Sequence, residues 1–155
     1  MIVVSDTSCI SNLLTIGQEA LLPLLFGEVL IPPAVEHELL RFHASLPDFV
    51  RCIVPAQSLR MARLMEELDP GEAEAICLAV EVKADRLLID EAPGRAAALR
   101  EGVPIIGLVG LLVAAKSSGH LAAIGPVLQR LQDEAGFYLG SSLKDDALRA
   151  VGEAS

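Results

Sequence analysis

Short apolar runs recur along this chain, each broken at once by acidic or turn-forming residues and followed by a segment with helical spacing, and this alternation constrains the fold more than any other feature. Ile2-Val3-Val4 ends in Ser5-Asp6-Thr7-Ser8, Val29-Leu30-Ile31 in Pro32-Pro33, and Leu87-Leu88-Ile89 in Asp90-Glu91. Val103-Pro104-Ile105-Ile106 is a further run, and residues 49–54 have weaker strand character. Runs so short and uniformly apolar read as strands buried on both faces. Helical spacing fills the intervals at 9–26 (interrupted near Gly17 and Pro23), 34–42, 58–68, 71–82 and 94–101. The last third is helical at 108–116, 121–135 and 143–151, the last of these after a Ser142-x-x-Asp145 capping box. This order predicts an α/β fold in which a central, mostly parallel sheet is flanked by helices.

The chain has 155 residues, 52% of them apolar, which suits one domain over 1–155 with no linker or repeat. Aromatics are only 3%, with no Trp, so Ala, Val, Ile and Leu must build the core. The opening residues carry no basic leader and reach Asp6 too soon for a signal peptide or membrane span, so a cytoplasmic protein is expected. Residues 108–115 are almost wholly apolar but too short to cross a bilayer; they form either a buried helix or a subunit interface. Cys9, Cys52 and Cys77 have neither disulfide-framework nor zinc spacing and read as small buried thiols. The net charge of −9 opposes a nucleic-acid function, which normally draws on a Lys/Arg footprint, unless the acids gather at a cation site or a local basic patch exists.

The acids do occupy telling places. Asp6 and Asp90-Glu91 stand at strand ends, Glu36 and Glu38 in the helix after the second run, and Glu72 and Glu74 at a helix start. Parallel strands open on a common edge, so these segments can converge, and crowded carboxylates are tolerated chiefly when hard cations neutralise them. Taken singly, each acid is equally suited to capping helix amides. Glu38 adjoins Leu39-Leu40, which should turn inward; Glu36 is its alternative. Thr7 and Ser8 either orient ligands through their hydroxyls or form an ordinary capping turn. Arg95, four residues after Glu91, either bridges to it or holds a substrate phosphate. His37, His43 and His120 lack metal-ligand spacing, and no serine elbow is present. A phosphatase or receiver-like Mg²⁺ domain would also use strand-end aspartates, but no second aspartate adjoins Asp6.

The chain resembles the PIN-domain nucleases, and within them the toxin nucleases of toxin–antitoxin pairs. The resemblance rests on Ile2-Val-Val-Ser-Asp6-Thr-Ser8, Ile31-Pro-Pro-Ala-Val35-Glu-His-Glu38-Leu, Leu68-Asp-Pro-Gly-Glu72-Ala-Glu74-Ala-Ile76 and Leu87-Leu-Ile-Asp90-Glu91. It continues through Gly94-Arg95, residues 103–116 and Gly136-Phe-Tyr-Leu139, and so covers nearly the whole chain. It implies a Rossmann-like fold, Mg²⁺ or Mn²⁺ as cofactor, cleavage of single-stranded RNA, an antitoxin protein as one partner and a homodimer. Carried over by position, Asp6, Glu38, Glu74 and Asp90 are the metal-binding and catalytic acids, with Glu91 a less constant one. Thr7, Ser8, Glu72 and Arg95 are supporting or substrate residues. Ile89 stands where many such toxins have Thr, and Glu74 where active ones often have Asp, so that Glu72 shares or replaces its role. These departures carry the alternative of an inactive PIN-like binding module.

Overall fold

The computed structural model describes residues 1–153. β1 (Val3–Ser5), β2 (Val29–Ile31), β3 (Val50–Cys52), β4 (Arg86–Leu88) and β5 (Ile105–Ile106) form one parallel sheet in the order β3-β2-β1-β4-β5. Parallel neighbours need crossovers, and helices supply them: α1 (Thr7–Thr15), α2 (Leu21–Phe26), α3 (Pro33–Phe42), α4 (Leu59–Glu67), α5 (Pro70–Glu81) and α6 (Ala92–Arg100). α7 (Leu108–Ser117), α8 (Gly125–Ala135) and α9 (Ser141–Ala150) follow β5.

Side-chain alternation divides the core between the two faces of the sheet. Val3, Val29, Ile31 and Leu88 join one apolar cluster with α1, α2, α3, α7 and α8, while Val4, Leu87 and Ile89 join a second with α4, α5 and α6. Leu87, Leu88 and Ile89 are fully buried in succession, which is why this run shows no polar alternation; each such side chain contributes about 1.5–3 kcal/mol. The apolar α7 is core: Leu108, Leu111, Leu112 and Ala115 are buried within the chain's own first cluster.

Two helix starts differ from expectation. α9 begins at Ser141 with Gly140 as its cap, so Ser142 lies inside the first turn and the expected Ser142/Asp145 capping box does not form. α8 begins at Gly125, not near 121, with Pro126 in its first turn and the Glu153 carboxylate accepting the Ile124 and Gly125 N–H groups at 2.7 and 2.9 Å. A partner 29 residues away is invisible to local pattern.

The chain runs outward from β1 to β3, then returns to the other side of β1 to place β4. Between β1 and β4 the strand order reverses, and an open α/β sheet has its natural crevice beyond the carboxyl ends of such a pair.

Candidate metal and nucleic-acid site

β1 delivers Asp6 to this crevice. Its N–H extends the sheet pairing to Leu88 O at 2.9 Å, and its side chain caps α1, with Oδ1 accepting the Cys9 N–H at 3.1 Å and Oδ2 the Ser8 hydroxyl at 3.2 Å. The residue is only 4% exposed. Burial, and then the charge of Asp90, push its carboxyl up to about 7 against the opposing pull of the Cys9 N–H. Asp90, just beyond β4, accepts the Leu108 N–H on Oδ1 at 2.9 Å and the Cys9 thiol on Oδ2 at 3.1 Å. Burial and the two aspartates raise the Cys9 thiol, keeping it protonated and able to donate.

The other acids arrive on helices and rest against glycines. Glu38, from α3, accepts the Thr7 hydroxyl on Oε2 at 2.6 Å, and its Oε1 lies 2.7 Å from where a Cβ on Gly71 would stand. Glu72 follows Asp69, whose Oδ1 caps α5 by accepting the Glu72 N–H at 2.9 Å. Its Oε2 is 3.0 Å from a Cβ position on Gly94, as Asp90 Oδ1 is 2.8 Å from one on Gly107. Burial, then the charges of Asp69, Glu91 and Asp6, raise the Glu72 carboxyl to about 7.

Asp6, Glu38, Asp69, Glu72 and Glu91 line one cavity of about 250 Å³, together with Thr7, Ser8, Ser11, Asn12 and Phe42. Asp90 faces an adjoining cavity of about 320 Å³ that shares Ser8, Asn12 and Glu91 with the first. A family model described as a PIN domain matches residues 2–153. The chain belongs to the PIN-domain family. No curated protein matches it significantly.

PIN domains are nuclease-type folds that generally use divalent metal ions. The donor chemistry here fits such a cation. Its donors are carboxylate oxygens, and burial, with neighbouring negative charge adding to it, raises two of them, Asp6 and Glu72, to about 7. Among the described residues no three His, Cys, Asp or Glu side chains already meet closely enough to hold an ion; the carboxylates surround a cavity without closing on a point. Without a cation, groups that titrate near neutrality can accept a proton from water.

The structure of this PIN domain places most of the sequence-selected residues together, with two exceptions. Glu74 does not line the cavity; its Oε1 accepts the Ala34 N–H at 3.1 Å and caps α3. Two positions apart on a helix, Glu72 and Glu74 point in different directions, and Glu72 has the site-facing one. Arg95 forms no ion pair with Glu91 among the described residues; its Nη1 donates to Ile89 O at 2.8 Å, securing the end of β4. Ile89 is fully buried in the second apolar cluster, so its replacing a Thr leaves the cavity lining unchanged.

Asn12, Ser11, Asp69 and Phe42 line the cavity without having been selected from sequence. Asn12 had a usable signal, since it follows Ser8 by four residues on α1 and so shares its helix face.

Proposed function

We propose that this PIN domain is a Mg²⁺- or Mn²⁺-dependent endoribonuclease that hydrolyses phosphodiester bonds of single-stranded RNA. The observation that carries the reading is the convergence of Asp6, Glu38, Glu72 and Glu91 on one cavity at the strand switch point, with Asp90 alongside and two of the acids raised to about 7 by burial and neighbouring charge. Asp6, Glu38, Glu72 and Asp90 would hold the cation, and Glu91 would contribute from the rim. A bound divalent metal supplies charge neutralisation at the phosphoryl oxygens and an acidified water. Ser8 and Asn12 offer hydrogen bonds to the substrate backbone from the wall shared by the two cavities. Cys9 keeps Asp6 and Asp90 at fixed spacing by hydrogen bonding to both.

Action as the toxin of a toxin–antitoxin pair, as a homodimer and in the cytoplasm belongs to the same proposal. Free Cys9, Cys52 and Cys77 suit a reducing compartment. An antitoxin-like reading frame directly upstream, and light scattering on the purified protein, test the first two. Among the described residues no helix is long and apolar enough to cross a membrane.

The deciding experiment incubates purified protein with end-labelled single-stranded RNA across a Mg²⁺ and Mn²⁺ series, beside Asp6→Asn. Asn preserves volume and one oxygen but removes the charge that attracts a hard cation, so a folded variant without metal-dependent cleavage is expected. Undiminished cleavage by that variant excludes Asp6. RNA binding with no cleavage by the wild type in either metal replaces the nuclease reading with that of a PIN-like binding module.

A further inference from the structure

The two exposed aromatic side chains among the described residues, Phe42 at 73% and Tyr138 at 89%, both stand at the acidic site. Phe42 forms part of the wall of the carboxylate cavity, and Tyr138 lines the adjoining one. Ser8, Asn12 and Glu91 line both, so the two cavities adjoin along a shared wall, with one ring in the lining of each. Tyr138 also borders a larger cavity of about 670 Å³, where Arg95 joins Asp90.

Neither ring is exposed for want of apolar neighbours. Phe137 and Leu139 pack into the first apolar cluster, while Tyr138 between them is left exposed. Phe42 ends α3, and the Arg41 guanidinium carbon lies 5.8 Å from its ring centroid, which places a cation beside an accessible π face.

A chain of net charge −9 with an acidic cavity repels a phosphate backbone, so its grip on nucleic acid needs a source other than a broad Lys/Arg footprint. Aromatic faces supply one, because every base can stack on them whatever its sequence. Paired and stacked bases in a duplex have no free face to offer. We propose that Phe42 and Tyr138 are base-stacking platforms that seat unpaired RNA bases beside the two adjoining carboxylate cavities. The proposal rests on the ribonuclease reading above and assigns two binding residues to its preference for single strands.

The sequence provides its own probe, since Tyr138 is the only tyrosine and there is no tryptophan. Intrinsic emission therefore reports on this ring alone. The full chain is titrated in Ca²⁺ with an oligouridine of about 12 nucleotides, and with a duplex RNA of equal length. Affinities of the variants are read from the anisotropy of a labelled oligonucleotide. The single strand is expected to quench the tyrosine emission and the duplex to leave it unchanged. Phe42→Ala and Tyr138→Ala should each weaken binding about tenfold with unchanged melting temperature, while Tyr138→Phe retains it. Binding with unaltered emission and full affinity in both alanine variants overturns the stacking assignment, and persistent metal-dependent cleavage then leaves the ribonuclease reading in place. Wild-type protein that neither binds nor cleaves RNA overturns both.

Discussion

The Glu38 carboxylate rests on Gly71, with Oε1 2.7 Å from where a Cβ there would stand, while its Oε2 accepts the Thr7 hydroxyl at 2.6 Å. A glycine on α5 and a threonine on α1 thus jointly aim one acid of α3. Gly71→Ala should push the flexible end of Glu38 aside without opposing the helix, since alanine is intrinsically the better helix former by up to about 1 kcal/mol. Metal affinity by calorimetry is expected to fall about tenfold, with a melting temperature level or raised. Unchanged affinity would show that Glu38 holds no metal.

Glu72 and Glu74 separate function from capping. Glu72→Gln should abolish most metal-dependent cleavage and raise metal-free stability, because the negative charge it removes is crowded by Asp69, Glu91 and Asp6. Glu74→Ala should instead cost about 1 kcal/mol by uncapping the Ala34 N–H, with cleavage per folded molecule preserved. The opposite pattern in urea melts and cleavage rates would return the catalytic role to Glu74.

Metal-free stability should fall as pH rises from about 4 to 7. Asp6 and Glu72 are raised to about 7 from ordinary values of 3.8 and 4.5. In that window the folded state keeps protons that the unfolded chain has released, and buried Asp6 then costs up to about 1.4 kcal/mol per pH unit, while solvent screening makes the cost smaller for the part-exposed Glu72. Above about 7 the dependence levels off. Cations replace those protons, so Mg²⁺ should raise the melting temperature more at about pH 8 than at about pH 5. Asp6→Asn should flatten the metal-free profile. A metal-free melting temperature that climbs through this range contradicts the crowded-carboxylate account.

Glu153 should show the reverse dependence. Burial raises its carboxyl, but the Lys116 ammonium at 2.8 Å and the N–H groups of Ile124 and Gly125 outweigh that and hold it down to about 2. Its stabilisation is present above the ordinary value of 4.5 and is lost as pH falls toward 2. Glu153→Ala is expected to lower stability by about 1–3 kcal/mol near neutrality, with the gap to wild type closing in acid. A constant gap in urea midpoints would make the contact one of packing alone.

The alternation of apolar runs and helical spacing was enough to specify a parallel sheet wrapped by helices, because strands buried on both faces and amphipathic helices leave period and length in the sequence itself. Asp6 and Asp90 were legible for the same reason: a strand must end somewhere, and polar residues mark its tip. Direction and distance were not legible. Which of Glu72 and Glu74 faces the crevice depends on how α5 is rotated against α3 and β1, and the decisive acceptor contact of Glu74 is with Ala34, 40 residues away. Nor does any local pattern show that Gly71, Gly94 and Gly107 leave room for the carboxylates of Glu38, Glu72 and Asp90, or that Phe42 and Tyr138 line adjoining cavities. Those relations join residues from separate elements, and only the packing of the elements sets the distances on which charge crowding and metal affinity depend.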